Sequence, residues 1–570
     1  MVAQATSRWR NRAAAATLCL ISAAAWAQAP ATAAPPAVRD PADRLFREQS
    51  EREREQLLRS TPLPALVIAA PEQPGFPQDR AEDGPVFLVQ TIRANGDPLL
   101  SPRQLERIAA PFVSRTLGSA HIRVLLDRIT RALVAAGYVT SRAYVGNQNL
   151  REGELTVTVL AGRIESIRYN GELLRPGEAR LPGVRLALPM RQGDVLRLQD
   201  IEQAIDQLNR LRRNAVQVQI QPGEHAGGSV IDLRNNEGPA RKYSVSADNQ
   251  GSASTGRLRL QAGVEQGNGL GLMETMSLGL TSSKDTNALY GTLSLPLGYY
   301  TLTGMLSWSE YQSLIGNTAL VHGTSQNFSL ALNRLLARDQ NSKTAIDVSL
   351  AKRRSDRAIN NAALTPQNLA VLRLGINHLR HFGTPAGDGQ WSLDTGVVRG
   401  LKGLGADHDA AELPGEAAHA QFTKVEVSGA SRIPQVTGVS WRGRLAGQCS
   451  RTPLFSSEQL FIGGAYSVRG FAESVAGGDC GIYLRNEAVW EVVLPLWSRG
   501  LRLEPYAFLD GGAVRSAASG QHQSAVGTGL GLRLAFARGN AEFTVGRPLH
   551  NATGMTQGGT RAHASLSYSL

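Results

Sequence analysis

The residues best suited to chemistry are concentrated towards the C-terminus. Cys449 and Cys480 supply two thiols, and FIGGAYSVRGF (461–471), GDCGIYLRNE (478–487) and YAFLDGG (506–512) place charged residues among glycines. Catalytic signatures are missing: Gly-x-Ser-x-Gly, His-Glu-x-x-His and Cys-x-x-Cys do not occur, and the ten histidines are dispersed. The nucleotide-binding pattern Gly-x-x-x-x-Gly-Lys-Ser/Thr is absent too. We therefore predict no catalytic site, cofactor or metal centre.

The 570-residue chain begins with a pattern typical of a secretory leader. Arginines at positions 8, 10 and 12 precede an apolar stretch that ends in AWA, the small-x-small pattern cut by signal peptidase. Residues 1–27 are thus a predicted signal peptide, cleaved after Ala27. Beyond it no run approaches the ~20 apolar residues that a membrane-spanning helix needs. The mature chain is expected to be exported, either as a soluble protein or as a β-barrel.

The net charge bears on the kind of partner, and the cysteines bear on the cellular compartment. The net charge of +12 and the pI near 9.9 would suit a nucleic-acid-binding protein. The arginines are instead scattered, and no basic cluster is interleaved with aromatic residues, so we expect no nucleic-acid partner. Cys19 lies in the predicted leader, which leaves Cys449 and Cys480 in a compartment where disulfides persist.

The segment PADRLFREQSEREREQLL (41–58) has helix-forming residues and alternating charges but a very thin apolar stripe. Proline-rich stretches flank it, and residues 59–84 are a predicted linker. The pattern indicates a helix with almost no face to bury.

Residues 85–161 follow the order strand, helix, helix, strand, strand. VFLVQTIRANG alternates as a strand, Ser101 is the expected N-cap of the first helix, and HIRVLLDRITRALVAAGY has apolar residues at helical spacing. Residues 162–238 repeat the order, with a helix over RLQDIEQAIDQLNRLR (197–212) before the paired strands AVQVQIQPG and SVIDLRN. The chain therefore contains two predicted α+β units of similar size.

From residue 239 to 570 the helical period gives way to short alternating segments separated by Gly, Asn, Asp and Ser. In the last segment Leu566, Tyr568 and Leu570 fall on one face and serines on the other, as in a strand between lipid and water. At about ten residues per strand plus turns, the region predicts an antiparallel transmembrane β-barrel of about 16 strands. A large secreted all-β protein is the alternative, although a sandwich of this length without linkers would be unusual.

These features together resemble a known family. The tandem units are similar to polypeptide-transport-associated (POTRA) domains, which are periplasmic, and VRGF at 468–471 is similar to the lid-loop signature of the Omp85 superfamily. Two POTRA units, with GG before the signature and GD and RNE after it, make the chain resemble the two-partner secretion (TpsB) branch over nearly its whole mature length. The implied fold is α+β POTRA domains followed by a β-barrel in the bacterial outer membrane.

The resemblance implies a role for Arg469. In the family a lid loop, here residues 450–480, folds back into the barrel lumen, and its arginine pairs with an aspartate on the inner wall, here Asp510. Alternation supports this independently, because Leu503 and Leu509 suit lipid and turn Asp510 inward. A guanidinium can hold a carboxylate through two parallel charge-assisted bonds. An ordinary external loop with a surface arginine is the alternative.

Further residues follow from the same resemblance. Val468, Gly470 and Phe471 complete the motif; Gly470 would allow a tight backbone at the loop tip, and Phe471 could wedge against the wall. Alternation places Glu487 on the inward face of its strand. Its correspondence to a functional residue of the family is weaker, because such a residue is often simply a charged side chain in the lumen. The family also implies that helix 41–58 is a plug inside the barrel, with a solvated linker helix as the alternative.

Cys449 and Cys480 are predicted to form a disulfide at the base of the lid loop. Cys449 ends the strand VSWRGRLAGQC and Cys480 begins CGIYLRNEAVW, so in an antiparallel pair joined by the loop they should lie nearly opposite each other. Alternation places both thiols on the lipid side. Closing the loop would remove chain entropy worth about 3 to 4 kcal/mol on the polymer model. Two free thiols are the alternative, since a bulge at a strand end shifts the register.

The implied function is protein export. A TpsB transporter takes one unfolded TpsA-type exoprotein, an adhesin or a cytolysin, from the periplasm to the cell surface without ATP. POTRA strand edges would receive this client by β-augmentation, and outer-membrane lipid and the barrel-assembly machinery are the other implied partners. The alternatives are an Omp85-type insertase, which generally has more POTRA units, a passive porin, and a hydrolase, for which no motif exists.

Overall fold

The structure is a computed structural model, and it describes residues 85–175, 181–315, 318–494, 501–551 and 559–570. The predicted leader 1–27, helix 41–58 and linker 59–84 lie outside the described residues. Within them the chain forms two α+β units followed by a closed antiparallel barrel. None of the helices described is both long enough and apolar enough to cross a membrane.

The first unit packs two helices against small sheets. Its elements are β1 (Phe87–Val89), β2 (Thr91–Gly96), α1 (Pro102–Ala109), β3 (Arg115–Leu117), α2 (Ser119–Ala135), β4 (Arg142–Tyr144) and β5 (Glu154–Leu160). β2 pairs parallel with β5, which also pairs antiparallel with β4, while β1 pairs with β3 in a separate sheet. The apolar stripe of α2, including Leu125 and Leu133, packs on Leu155 and Val157 of β5.

Ser101 caps α1 as predicted. The Gln104 N–H donates to Ser101 Oγ (3.4 Å), and the Ser101 N–H donates to Gln104 Oε1 (3.0 Å), which is a capping box. The prediction of a single first strand is wrong, because the chain leaves β1 at Gln90, whose N–H donates to Gly153 O (2.7 Å). The three-residue strand β3 was not predicted, since it is too short to show alternation.

The second unit contains one four-stranded sheet and two helices. Its elements are β6 (Arg163–Tyr169), β7 (Glu172–Leu173), α3 (Pro182–Ala187), α4 (Leu198–Asn209), β8 (Val216–Pro222) and β9 (Gly228–Asn235). The sheet has the order β7-β6-β9-β8, which leaves β8 at one edge; β6 runs parallel to β9, and β8 runs antiparallel to β9. The helix predicted over 197–212 ends earlier, at Asn209, and the short helix α3 was not predicted because six residues show no clear period.

Sixteen long antiparallel strands close the barrel within the described ranges. The strands of this region are β10 (Arg241–Asp248), β11 (Arg259–Gly267), β12 (Thr275–Ser283), β13 (Thr286–Leu297), β14 (Tyr300–Ile315), β15 (Ala319–Arg338), β16 (Ser342–Ile359), β17 (Ala362–Ala363), β18 (Gln367–Thr384), β19 (Gly387–Gly400), β20 (Thr423–Val436), β21 (Val439–Ser450), β22 (Leu460–Gly463), β23 (Ser474–Gly478), β24 (Cys480–Trp490), β25 (Val492–Leu494), β26 (Leu501–Arg515), β27 (His522–Phe536), β28 (Gly539–Asn551) and β29 (Arg561–Ser569). Of these, β17 and β25 are short segments beside the long strands, and β22 and β23 form a separate hairpin.

The first and last barrel strands form the closing seam. β10 pairs with β29 from Ser244↔Ser569 to Asp248↔Ser565, and Leu570 N–H extends the ladder by donating to Tyr243 O (2.9 Å). Leu566 in β29 is 54% exposed on the outer face, as a lipid-facing residue should be. Two α+β units followed by this barrel confirm the predicted fold class.

The second unit is bonded to one end of the barrel through α4. The side-chain amides of Gln203 and Gln207 donate to Gly298 O, in the turn between β13 and β14, at 3.0 and 2.7 Å. Arg338 at the end of β15 donates to Glu202 Oε2 (2.9 Å), and both residues are buried. Because α4 is bonded to a barrel turn and a strand end, the second unit is held against this mouth of the barrel.

Candidate functional site

The lid loop, which joins β21 to β24, folds into the barrel lumen. It contains the antiparallel hairpin β22–β23, and the VRGF motif lies in the turn of this hairpin. Val468 and Phe471 are 0% exposed and share an apolar cluster with Val514 of β26 and Ala525 of β27. The structure therefore places the motif against the inner wall of the barrel.

Arg469 and Asp510 are brought together at the loop tip. Arg469 Nε donates to Asp510 Oδ2 (2.6 Å), and Nη2 donates to Oδ1 (2.9 Å), in two parallel bonds. The Arg469 main-chain N–H adds a third bond to Oδ2 (3.1 Å), and the N–H of Asn486 in β24 donates to Oδ1 (3.2 Å). Because Arg469 and Asp510 are 3% and 0% exposed, the pair is shielded from water and salt.

Glu487 extends this pair into a network. Its Oε1 accepts from Arg469 Nη1 (2.5 Å) and from Arg533 Nη2 (2.9 Å), and its Oε2 accepts from Arg533 Nη1 (2.8 Å). Arg533 lies on β27 and also donates to Glu542 Oε1 (3.1 Å) on β28. The carboxylates of Asp510 and Glu487 thus each face at least one guanidinium group, which offsets the cost of burying their charges.

Two aromatic side chains support the guanidinium groups. The Arg469 guanidinium carbon lies 4.0 Å from the Phe508 ring centre, and that of Arg533 lies 4.1 Å from the Tyr506 ring centre. Both rings are buried on β26, two and four residues before Asp510, and therefore share its inward face. These distances allow cation–π attraction, which is strongest where water is excluded.

Gly470 is required by its backbone and its surroundings. Its φ is +101°, which disfavours a side chain, and a Cβ there would lie 2.7 Å from Arg547 O on β28. On the facing wall, a Cβ at Gly527 would lie 1.7 Å from Arg469 O. The loop tip therefore packs backbone to backbone on glycine positions of the wall.

Cys449 and Cys480 meet at the root of the lid loop. Their sulfur atoms are 2.02 Å apart and their Cα atoms 3.9 Å apart. The β21–β24 register ends at Gln448↔Gly481, one residue before the pair. Val425, the neighbour of Cys449 on β20, is 55% exposed, so Cys449 lies on the outward face.

Sequence reasoning missed several members of this site. Arg533, Phe508 and Tyr506 received no role, although alternation in GLGLRLAF puts Arg533 opposite the lipid-facing leucines. Glu487 was predicted only as an inward residue with a weaker family correspondence, and its hydrogen bonds with Arg469 and Arg533 were not predicted. Among the described residues, no cluster of His, Cys, Asp and Glu side chains could hold a metal ion.

Comparisons with known proteins identify the family. Residues 227–534 match the model of the haemolysin secretion/activation proteins ShlB/FhaC/HecB, residues 87–162 match a ShlB-type POTRA domain, and residues 163–222 match a second POTRA model. The chain is 32% identical over 517 residues to the outer membrane transporter CdiB of Escherichia coli O6:K15:H31, covering 88% of this chain and 84% of that protein.

Two further similarities agree. The hemolysin transporter protein ShlB of Serratia marcescens is 30% identical over 458 residues, covering 77% of this chain and 78% of that protein. The solved structure of CdiB from Escherichia coli has a TM-score of 0.83 at 29% identity, covering 94% of this chain and 100% of that one. The chain therefore belongs to the ShlB/FhaC/HecB family, outer-membrane transporters whose POTRA domains lie in the periplasm.

Proposed function

We propose that this protein takes an unfolded TpsA-type exoprotein from the periplasm and exports it through its barrel to the cell surface. The observation that carries the proposal is the Arg469 network. Together with the apolar contacts of Val468 and Phe471, it holds the loop tip inside the lumen by non-covalent contacts, which can be exchanged for others without breaking a covalent bond. A pore for small solutes has no need of a releasable loop, whereas a protein conduit must open and reseal.

The export step uses no ATP, and the site performs no covalent reaction. The chain lacks the phosphate-binding loop pattern, and the buried charges of the Arg469 network are bonded to one another. Folding of the client outside the cell would supply the driving force. Arg469, Asp510 and Glu487 are binding residues for the lid loop in this proposal, and the protein is not an enzyme.

The client is received at the outer edge of β8. The Val216 N–H donates to Asn209 Oδ1 (2.7 Å) and Asn209 Nδ2 donates to Val216 O (3.2 Å), so the backbone groups of Val216 point away from β9. Because the direction of the backbone N–H and C=O groups alternates along an antiparallel strand, those of Val218 and Ile220 also point away from β9. No other described strand pairs with this edge, and an extended client could add to it.

An insertase that assembles other outer-membrane proteins is the second candidate. The curated relatives named above are transporters, and no contact in the described residues favours insertion over export. The discriminating experiment is co-expression with the large exported protein, rich in β-helix repeats, that we expect to be encoded beside this chain. We expect the exported protein to reach the cell surface or medium only when the transporter is present. Other outer-membrane proteins should assemble equally well without the transporter.

The β8 edge has its own test. Ile220→Pro removes an outward N–H while leaving the bonds to β9 in place, and Ile220→Ala shortens the side chain while keeping that N–H. Export should fall sharply with Ile220→Pro and persist with Ile220→Ala. Equal export by the two variants would exclude this edge.

A further inference from the structure

The lid loop is bonded to the barrel wall at a second place, in the segment that precedes the hairpin carrying Arg469. The turn Ser456–Glu458, here called the limb turn, precedes the hairpin β22–β23. Glu458 is 2% exposed, and its Oε2 lies 2.9 Å from Lys424 Nζ on β20. Its Oε1 accepts from Arg353 Nη1 on β16. A buried carboxylate thus meets cations from two separate strands.

The backbone of the limb turn is held as well. The Glu458 carbonyl oxygen accepts from Lys424 Nζ (2.9 Å) and from Gln448 Nε2 on β21 (2.7 Å). The Ser457 carbonyl oxygen accepts from Arg353 Nη1 (3.3 Å). Side chains of three wall strands therefore bind both the side chain and the main chain of one three-residue turn.

Neighbouring contacts fix the rest of the limb. Asp479, which is 1% exposed, accepts from the Leu454 N–H (2.8 Å) and from Gln459 Nε2 (3.1 Å) through Oδ1. Its Oδ2 accepts from the Ala517 N–H (2.7 Å), in the turn after β26. The descending limb, residues 451–459, is thus tied on both sides of the limb turn to Asp479, which is itself bonded to the turn after β26.

The limb turn and the loop tip use different arcs of the wall. The limb turn is bound by β16, β20 and β21, whereas the tip is bound by β24 and β26. The tip hairpin also reaches the start of the barrel, where Ser252 Oγ donates to Glu473 Oε2 (3.1 Å) and Arg259 bonds the Tyr466 hydroxyl. In the part of the chain that the structure describes, the wall residues that bind the limb turn in these contacts differ from those that bind the tip, so one attachment can break without the other.

We propose that the limb turn is the fixed pivot of the lid loop. Glu458 keeps the descending limb on the wall when Arg469 leaves Asp510, so the hairpin β22–β23 swings within the lumen and the loop is not expelled. Glu458 is a positioning residue in this arrangement. The inference deepens the proposed export function, but the mobility that it predicts belongs to the transporter alone and can be measured without a client.

Hydrogen-exchange mass spectrometry on the purified full-length protein in detergent tests the pivot. Glu458→Gln removes the limb charge, Arg469→Ala removes the tip contact, and Glu473→Gln is the matched control, the same substitution elsewhere in the loop. Glu458→Gln should speed amide exchange in 451–459 by about tenfold or more. Arg469→Ala should speed exchange in 465–473 by a similar factor and leave 451–459 protected. Glu473→Gln should leave 451–459 protected.

Lys424→Met removes the partner of Glu458 on the wall and serves as a second variant if Glu458→Gln folds poorly. It should speed amide exchange in the same residues, 451–459. If Arg469→Ala speeds exchange equally in 451–459 and 465–473, the loop has a single cooperative attachment and the pivot is refuted. Continued protection of 451–459 in both Glu458→Gln and Lys424→Met would also refute it. Secretion of the client is measured in parallel. A wild-type chain that exports nothing would refute the proposed function while the exchange pattern still decides the pivot.

Discussion

Glu487 of β24 and Arg533 of β27 form a two-bond ion pair on the barrel wall, with Oε2–Nη1 and Oε1–Nη2 distances of 2.8 and 2.9 Å. The same Oε1 also accepts from Arg469 of the lid loop at 2.5 Å. The wall pair therefore orients the carboxylate that the loop uses. A residue of β24 and one of β27 cooperate to form the seat of the Arg469 guanidinium.

The first prediction concerns Glu487→Gln. Removing one partner of a buried charge network typically costs about 3–5 kcal/mol, but Asp510 still holds Arg469 here. We expect reduced rather than abolished export, measured as client in the medium at equal transporter levels. In a cycle with Arg533→Met, the thermal destabilisation of the double variant should be smaller than the sum of the single effects. Additive effects would show that the two residues act independently.

The second prediction concerns the thiols. Maleimide labelling of the denatured, unreduced mature protein should modify no cysteine, because Cys449 and Cys480 are joined. Reduction before labelling is the control and should expose both thiols. Two reactive thiols per chain without reductant would refute the disulfide.

The third prediction concerns residues 41–58, which lie outside the described residues. If this polar helix occupies the lumen, deleting it should raise the ion conductance of single barrels in planar bilayers. Secretion can survive the deletion, since a plug must leave the pore for export. Unchanged conductance would return the segment to a linker role.

The fourth prediction concerns pH at the junction between α4 and the barrel. Burial raises the pKa of Asp200 and that of Glu202 above their ordinary values, so the docked state binds protons more tightly than a released one. The stabilisation that these two carboxyl groups give to docking is complete at pH values below their ordinary pKa values of 3.8 and 4.5. It is lost as the pH rises through their raised pKa values. Acidification from about pH 7 towards 5 should therefore not loosen α4. Faster proteolysis after residue 235 at the lower pH would contradict this sign.

Alternation along single strands was the most informative sequence signal. It put Asp510 on the inner face and Leu566 on the outer face, because strand side chains alternate whatever lies across the sheet. The same rule could have placed Arg533. It could not show that Arg533 meets Glu487, since that contact spans 46 residues and three neighbouring strands.

Other features lay beyond local patterns. The division of the first strand at Gln90 depends on a bond to Gly153, and the three-residue β3 is too short to alternate visibly. Glu458 lies in a loop, where no period indicates direction, and its partners come from strands far along the chain. Sequence reasoning therefore predicted the architecture and the two central residues of the site, but not the network around them.

Secretion by the Arg469→Ala variant tests the central claim most directly. Client in the medium is compared among wild type, Arg469→Ala, Asp510→Ala and the control Arg502→Ala, whose side chain lies outside the network. Heat-modifiable mobility in outer-membrane fractions checks that each barrel is inserted. We predict that Arg469→Ala and Asp510→Ala sharply reduce or abolish secretion with normal amounts of folded barrel, and that the double variant is no worse than either. Secretion at the wild-type level by folded Arg469→Ala would contradict the role assigned to the lid loop.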